Sequence, residues 1–187
     1  MGVLFDWISQ PKTACGLLLV AMPGVGDVGK LAIDAVNTEL DAEPIARILH
    51  PALPPLAKLD DDGLLVPPHI LLSRIKIDGK EVFTLTGDAQ PMTPEGQHEM
   101  ATAILDLFEG GEVLVLAGMS AKADRKEIFT ITSSSNYRID LESMGVDVRR
   151  DEPKAGVIGM AALVTALGPV KDVRTSCTIA TTVGNSA

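Results

Sequence analysis

Residues 16–30 read GLLLVAMPGVGDVGK, and this stretch indicates the fold class. The run from 16 to 21 is short, continuous and apolar, as is typical of a strand buried on both faces of a parallel sheet. Glycines 24, 26 and 29 then predict a tight turn. From Val28 to Leu40 apolar residues recur at steps of three and four, which predicts an amphipathic helix. The stretch therefore predicts a strand-to-helix junction in an α/β domain.

The sequence that follows this junction predicts a mixed sheet. Ile45 to Leu49 is interpreted as a second strand, so the first 50 residues are predicted to form a βαβ unit. Proline crowds the segment from His50 to Leu56, which favours an extended loop. Asp62-Gly63 and Asp78-Gly79 mark tight turns between short apolar runs, which predicts an antiparallel part of the sheet. These runs cover residues 64–66, 70–77 and 81–85.

A second helix and the remaining elements complete one domain. Thr93 as N-cap, Pro94 at the first helical position and Glu95 beside the positive helix end predict a helix that stops at Gly110-Gly111. The strand predicted at 113–117 is expected to end at Gly118. No linker divides the chain, so residues 1–187 are predicted to form a single domain with its core at about 16–182. The remaining predictions are strands at 128–132 and 175–182 and helices at 138–144 and 160–167.

Composition limits the classes of function. The net charge of -9 opposes binding to nucleic acid, because no basic block offsets it. No apolar run approaches the roughly 20 residues that cross a bilayer, and the N-terminus lacks signal-peptide features, so a cytoplasmic protein is expected. Cys15 and Cys177 are too few for a disulfide framework and are expected to be buried thiols. The three histidines and Asp60-Asp61-Asp62 lack metal-ligand spacing, so neither metal nor cofactor is expected.

The glycine-rich turn partly fits two nucleotide-binding motifs. Residues 24–29 fit GxGxxG, but the acid that would bind the ribose is missing where Leu49, His50 and Pro51 stand. Residues 24–30 fit GxxxxGK, but Leu31 occupies the position of the hydroxyl that would hold magnesium. Two interpretations stay open. The glycines permit close packing of the helix on the sheet, which is favoured, or the helix N-terminus holds an anion or small ligand.

Residues 87–97 follow a strand and precede a helix, the position at which open α/β sheets bind ligands. Asp88 and Glu95 are candidates for an acid/base pair. The favoured alternative is that Asp88 bonds loop amides while Glu95 interacts with the helix dipole. A candidate cleft is therefore predicted at the carboxyl ends of the strands. Its residues are Gly24, Gly26, Lys30, Gly87, Asp88, Gln90, Glu95, Gly118 and Gly159.

These motifs together carry a family resemblance. In order and spacing, the sequence resembles the proteasome assembly chaperone family, specifically its chaperone-two branch and archaeal relatives. The resemblance covers about residues 16–182. The motifs are Met22-Pro23-Gly24-Val25-Gly26 through Lys30, Pro54-Pro55, Gly87-Asp88-Ala89-Gln90-Pro91, Pro94-Glu95-Gly96-Gln97, Val115-Leu116-Ala117-Gly118 and Gly156-Val157-Ile158-Gly159.

The resemblance implies both a fold and a function. It implies a phosphorylase/hydrolase-like three-layer α/β sandwich with a mixed, largely parallel sheet. It also implies a non-catalytic homo-oligomer that binds proteasome α-subunits during assembly. Some archaeal relatives end in a hydrophobic-Tyr-any-residue docking tail, whereas this sequence ends Gly184-Asn185-Ser186-Ala187, so such a tail is not expected. The candidate partner-binding residues are Leu53, Pro54, Pro55 and Leu56.

A different class of function remains as the alternative. The cleft at the strand carboxyl ends is a candidate site for a small ligand or for nucleoside or nucleotide processing. This alternative rests on analogy of fold, which is weak support for chemistry.

Overall fold

An eight-stranded mixed sheet organises the residues that the computed structural model describes, 2–9 and 16–184. A separate two-stranded ribbon, β4 with β5, lies outside this sheet. In chain order the elements are β1 (Leu4–Trp7), β2 (Leu17–Ala21), α1 (Val28–Glu39), β3 (Glu43–Leu49), β4 (Lys58–Leu59), β5 (Leu65–Val66), β6 (Ile70–Ile77), β7 (Lys80–Gly87), α2 (Pro94–Leu107), β8 (Glu112–Ser120), β9 (Ile128–Thr132), α3 (Ser135–Ser143), α4 (Gly159–Leu167) and β10 (Arg174–Thr182).

The strands of the large sheet run in the order β1-β3-β6-β7-β2-β8-β10-β9. The four central strands β7, β2, β8 and β10 are parallel, and the flanking pairs are antiparallel. Leu18, Val20 and Ala21 of β2 are buried, as expected for a central strand. The predicted α/β fold with a mixed sheet is confirmed.

The position of β3 differs from the prediction. β3 pairs with β1 and β6, so it does not lie beside β2, and the predicted βαβ unit is wrong as a pair of adjacent strands. The β6–β7 hairpin occupies the gap, with a register that runs from Ile70 opposite Gly87 to Ile77 opposite Lys80. β7 then pairs in parallel with β2. The connection through α1 therefore crosses two strands before the chain re-enters the sheet.

Helices cover both faces of the sheet. On one face, Thr84 Oγ1 donates a hydrogen bond to Asn37 Oδ1 of α1 at 2.7 Å, and Tyr137 of α3 donates to Glu112. On the other, Phe83 packs edge-to-face against Phe108 at the end of α2, with ring centroids 5.5 Å apart. α2 and α4 contact each other on this second face. The predicted three-layer arrangement is confirmed.

Several element boundaries follow from local chemistry. Thr93 Oγ1 accepts a hydrogen bond from Gly96 N at 3.0 Å, which confirms the predicted N-cap of α2. β8 continues through Gly118 to Ser120, so the prediction that Gly118 ends the strand is wrong; Gly118 instead pairs with Ala180 of β10. α3 begins at Ser135, three residues earlier than predicted, because Ser134 caps it.

Two further features bear on the sequence predictions. Cys177 is buried in β10, as predicted, while Cys15 lies outside the described residues. Within residues 2–9 and 16–184, every helix is too short or too polar to cross a bilayer.

Candidate functional site

The glycine-rich turn packs directly against the backbone of β8. A Cβ at Gly29 would stand 2.3 Å from the carbonyl oxygen of Leu116. A Cβ at Gly118 would stand 2.2 Å from the carbonyl oxygen of Val25. Contacts this short exclude any side chain. The geometry supports the interpretation that these glycines permit close packing of the turn on the sheet.

The start of α1 already carries a negative charge. Asp27 is the N-cap residue, with φ 49°, and its side chain does not bond the helix. Its Oδ1 instead accepts a hydrogen bond from Gly24 N at 3.1 Å. Because a carboxylate lies at the positive helix end and uses one of the amides of the turn, the arrangement disfavours a phosphate there. Gly26 lies within the turn and faces Thr182, which stands 3.0 Å from the place of its missing Cβ.

A cleft of about 670 Å³ opens where the parallel strands β2, β8 and β10 end. Four residues of the predicted site line it: Gly24, Gln90, Gly118 and Gly159. Its other lining residues are mostly Val, Met, Ala, Pro and Ile, and none of the described residues that line it is Asp, Glu, Lys, Arg, His or Cys. The larger cleft therefore offers apolar surface and amide groups, but no side chain for acid–base chemistry or for neutralising a phosphate.

Gln90 connects two walls of this larger cleft. Its Nε2 donates to Pro23 O at 2.7 Å, and its Oε1 accepts from Met160 N at 2.9 Å. The side-chain amide thus links the turn after β2 to the first residues of α4. Both of its ends are engaged within the protein, so the structure gives Gln90 a positioning role.

A smaller cleft of about 320 Å³ lies at the end of β7, between the proline-rich loop and α1. Lys30, Gly87 and Asp88 line it, together with the predicted partner-binding residues Leu53, Pro54 and Leu56. The residues predicted to form one cleft therefore fall into two clefts, apart from Gly26 and Glu95, which line neither. Pro55 is exposed beside the smaller cleft, and Glu95 is exposed in the first turn of α2, where it lines neither.

Ion pairs fix the charged side chains of the smaller cleft. Lys58 Nζ lies 2.6 Å from Asp88 Oδ2, and Lys30 Nζ lies 2.7 Å from Asp34 Oδ2 and 4.0 Å from Asp88 Oδ1. The hydrogen bond from Lys58 holds the pKa of Asp88 below its usual range, with Lys30 adding to the effect. Asp88 is therefore ionised at neutral pH, which disfavours its candidate role as a proton-holding acid. Its side-chain partner is Lys58 and not the loop amides expected from sequence.

Sequence reasoning missed four polar residues of the smaller cleft: Asp34, Lys58, His69 and Thr86. Lys58 is the first residue of β4 and His69 follows β5 by three residues, and nothing in their spacing signals that they line the same cleft as Asp88. Thr86 directly precedes Gly87 in the strand, so its place at the strand's carboxyl end was the one available signal.

An exposed apolar surface lies on the ribbon next to this cleft. Leu59 and Leu65 are cross-strand partners in β4 and β5, and their exposed fractions are 68% and 70%. Leu56 and Leu64 are similarly exposed beside them. We call Leu56, Leu59, Leu64 and Leu65 the leucine ribbon. Asp60 Oδ1 accepts from Asp62 N at 3.0 Å and from Leu64 N at 2.8 Å, so this aspartate organises the turn between the two strands.

Comparison with known proteins shows related sequence and structure. An uncharacterized protein of Methanocaldococcus jannaschii, MJ1210, is 24% identical over 173 residues, which make up 90% of this chain and 66% of that protein. The chain thus spans just under two thirds of the length of this relative. Pyrococcus furiosus PbaB, an archaeal proteasome activator, has a TM-score of 0.80 at 19% identity, covering 98% of this chain and 81% of its own.

Two further structures share the fold. Pyrococcus furiosus PbaA, an archaeal homolog of proteasome-assembly chaperone, has a TM-score of 0.77 at 22% identity, covering 99% of this chain and 74% of its own. The Mycobacterium tuberculosis proteasome-assembly chaperone homologue Rv2125 has a TM-score of 0.63 at 18% identity, covering 89% and 75%. At these identities the likeness establishes the fold.

The sequence itself supplies the family assignment. A model of the PAC2 family matches residues 18–186, nearly the whole chain. The match confirms the resemblance to the proteasome assembly chaperone family that the glycine-rich turn and residues 87–97 predicted. The chain belongs to the PAC2 family.

Proposed function

We propose that the protein is a non-catalytic, oligomeric binding protein of the proteasome assembly chaperone type, with proteasome α-subunits as its partners. The leucine ribbon, together with Pro54 and Pro55 of the adjoining loop, provides the binding surface. Leu53, also predicted from sequence to bind the partner, is only 5% exposed and packs in the core. The observation that carries this proposal is the exposure of four leucines, Leu59 and Leu65 within one two-stranded ribbon and Leu56 and Leu64 next to it in the chain. The proposal includes the cytoplasmic location expected from the sequence.

The leucine ribbon has the properties of a docking surface. A two-stranded ribbon is marginally stable in water by itself, and cross-strand leucines with about two thirds of their surface exposed cost free energy unless a partner covers them. The prolines at 54 and 55 restrict the adjoining loop, so less conformational entropy is lost on binding. An apolar, restricted surface of this kind fits another protein better than a small polar ligand.

The two clefts support the non-catalytic part of the proposal. The larger cleft lacks charged lining residues among those described, so it supplies neither a phosphate contact nor an acid–base pair for a nucleoside or nucleotide reaction. In the smaller cleft, Asp88 is held by Lys58. The relatives add support, since PbaB is an archaeal proteasome activator and PbaA a homolog of proteasome-assembly chaperone.

The test is capture of purified proteasome α-subunits by the immobilised full chain, with the subunit count measured by light scattering. We expect an oligomer that captures α-subunits. Leu59→Ser with Leu65→Ser should reduce capture by about tenfold or more, because central apolar contacts dominate interfaces. The matched control is Ile128→Ser with Ile139→Ser, which removes two exposed isoleucines from β9 and α3.

Two results would overturn the proposal. One is a strict monomer that captures no α-subunit. The other is equal capture by the ribbon variant, the control variant and the unchanged chain, which would place the binding surface elsewhere. Circular dichroism spectra of both variants establish that the fold is retained.

A further inference from the structure

The two edges of the large sheet differ in what covers them. At one edge, Thr130 N of β9 donates to Asp147 O at 2.7 Å, and Arg149 N donates to Thr130 O at 2.8 Å, so the chain covers this edge itself. At the other edge lies β1, which pairs only with β3 among the described residues. An uncovered edge presents unpaired N–H and C=O groups, which make it a template for another strand. Within residues 2–9 and 16–184, the outer edge of β1 is therefore open to a further strand.

The residues of β1 do nothing to prevent pairing at this edge. Exposed edge strands in natural proteins usually carry a lysine, a proline or a bulge that keeps other strands away. β1 has the sequence LFDW and a continuous register on β3, so it has none of these. Its charged side chain, Asp6, already pairs with Arg47 at 3.2 Å, and Leu4 is 62% exposed. The edge is therefore suited to pairing with another strand that is apolar and low in charge.

The register of β1 on β3 determines which backbone groups point outwards. Trp7 lies opposite Ala46, and at the next position Ile8 N donates to Ile45 O at 2.8 Å. Along an antiparallel strand, every second residue directs its N–H and C=O groups to the same neighbour. The even-numbered residues of β1 therefore bond β3, as Ile8 does, while Phe5 and Trp7 direct their backbone groups to the open edge.

We propose that a second copy of this chain pairs with the open edge of β1, antiparallel and about a two-fold axis at Phe5. In this register Phe5 lies opposite Phe5 of the partner subunit, and the two residues exchange both of their backbone hydrogen bonds. Val3, which directly precedes β1 and continues the same alternation, exchanges its bonds with Trp7 of the partner subunit. The sheets of the two copies become one continuous sheet.

The side chains of β1 complement a second copy of the same strand in this register. Phe5 and Trp7 stack on one face of the sheet with ring centroids 5.6 Å apart, and the two-fold axis joins two such stacks into one apolar strip. On the other face, Leu4 lies opposite Asp6 of the partner subunit. An axis at Asp6 would instead place two carboxylates directly opposite each other, which is destabilising. The pattern of charge and apolar surface therefore favours the axis at Phe5.

This inference rests on the oligomeric part of the proposed function and names the surface that forms the oligomer. It uses none of the residues of the leucine ribbon. β1 also precedes residues 18–186, which match the PAC2 family model. The contact therefore depends on a strand outside the matched region.

Cysteine cross-linking tests the register. Leu4 and Asp6 of the partner subunit form a non-hydrogen-bonded pair with Cα atoms about 4.5 Å apart, which a disulfide can span. In a Cys15→Ser background, an oxidised mixture of Leu4→Cys and Asp6→Cys chains should therefore give a dimer that links the two variants, identified by its mass. Either variant alone should remain unlinked, because its two cysteines would be diagonal neighbours about 7–8 Å apart. Both side chains are exposed, so both variants should keep the fold.

A pair of variants at Val3 tests the backbone hydrogen bonds. Val3→Pro removes an N–H group that points to the open edge and leaves the bonds between β1 and β3 in place. Val3→Ala is the matched control, because it shortens the side chain and keeps the N–H group. We expect Val3→Pro to weaken self-association by about tenfold or more and Val3→Ala by less than about threefold, measured by light scattering over a concentration series. Circular dichroism spectra establish that both variants are folded.

The single tryptophan of the chain provides a second readout, because Trp7 lies at the proposed contact. Its fluorescence emission should shift with protein concentration in the unchanged chain, and Val3→Pro should move this shift to higher concentration.

Two sets of results would overturn the inference, and they differ in what they say about the proposed function. An oligomer whose mixed variants do not cross-link, cross-linking of Asp6→Cys alone, or equal weakening by Val3→Pro and Val3→Ala would overturn this contact and leave the proposed function standing. A chain that is monomeric at every concentration would overturn the contact together with the oligomeric part of the proposed function.

Discussion

Gly118 of β8 and Val25 of the glycine-rich turn are in such close contact that a Cβ at residue 118 would lie 2.2 Å from the carbonyl oxygen of Val25. Replacing Gly118 by Ala must therefore displace backbone and not merely a side chain. We expect Gly118→Ala to lower the free energy of unfolding by about 1–3 kcal/mol, measured by urea denaturation.

Gly24 provides the control in the same turn. The nearest atom to a Cβ at Gly24 would be 3.9 Å away, so Gly24→Ala should change the free energy of unfolding by less than about 0.5 kcal/mol. Equal losses in the two variants would mean that the turn does not depend on its contact with β8.

Removing the side-chain amide of Gln90 should loosen the link between the turn after β2 and the start of α4, two walls of the larger cleft. Gln90→Leu leaves Pro23 O and Met160 N without their hydrogen-bond partner, so we expect a loss of about 1–3 kcal/mol in unfolding free energy. The measurement is urea denaturation at neutral pH. A loss within error of zero would mean that water replaces both bonds.

Gln90→Glu makes the same contact dependent on pH. The introduced carboxyl group can donate to Pro23 O when it is protonated, whereas its ionised form cannot. The neutral form is favoured in the folded state, which raises the folded pKa, so the stability of this variant is retained at low pH and lost as pH rises through that pKa. The difference in melting temperature from the unchanged chain should grow between about pH 4 and pH 7. A difference that stays constant over this range would mean that the carboxyl group does not donate to Pro23 O.

Asp88 should stabilise the protein only when it is ionised. Its folded pKa is lowered chiefly by the hydrogen bond from Lys58, so its contribution is present above the unfolded pKa of about 3.9 and is lost as pH falls through the folded value. Asp88→Asn should cost at most about 1 kcal/mol at pH 7, since the pair is largely exposed. Denaturation at neutral pH and at about pH 2–3 should show the difference disappear at the lower pH. A difference that persists in acid would assign the effect to something other than the ion pair.

Cys177 should not react with disulfide reagents until the protein unfolds. Burial raises the pKa of its thiol to about 12, so almost no thiolate is present at neutral pH. In a Cys15→Ser background, labelling by a disulfide reagent should be slow in buffer and should accelerate with urea in step with unfolding. Because the folded pKa is raised, the contribution of this thiol to stability is intact below about pH 8.5 and declines as pH rises towards 12. Rapid labelling of the native protein would contradict the burial of β10.

β2 and α2 could be predicted because the residues that specify each element lie within it or directly beside it. The apolar run before the turn, the cap at Thr93 and the proline after it specify β2 and α2 regardless of the rest of the chain. The order of strands could not be predicted in the same way, because the partner of β3 is decided by the hairpin at residues 70–87. β1 was missed because four residues are too few to show a period.

The candidate site could be predicted only in part, because the spacing of residues does not show which parts of the chain they contact. Asp88 and Gln90 are two residues apart, yet Asp88 contacts Lys30 and Lys58 while Gln90 contacts Pro23 and Met160. The loop after β7 thus contributes to two clefts, and its path is not encoded in the spacing of its residues. Leu64 and Leu65 of the leucine ribbon were predicted as part of an antiparallel sheet, and Leu56 as a partner-binding residue of the proline-rich loop. Periodicity identifies apolar residues without identifying what covers them.

The β6–β7 hairpin, which separates β2 from β3 in the sheet, also sets an order of events during synthesis. When the first 50 residues have left the ribosome, β3 can pair only with β1, and β2 has neither of its neighbours, β7 and β8. Only after residue 87 has emerged can β6 and β7 bridge the gap. Until then β2 and the β1–β3 pair cannot join one sheet. This interval is when the nascent protein is most exposed to aggregation.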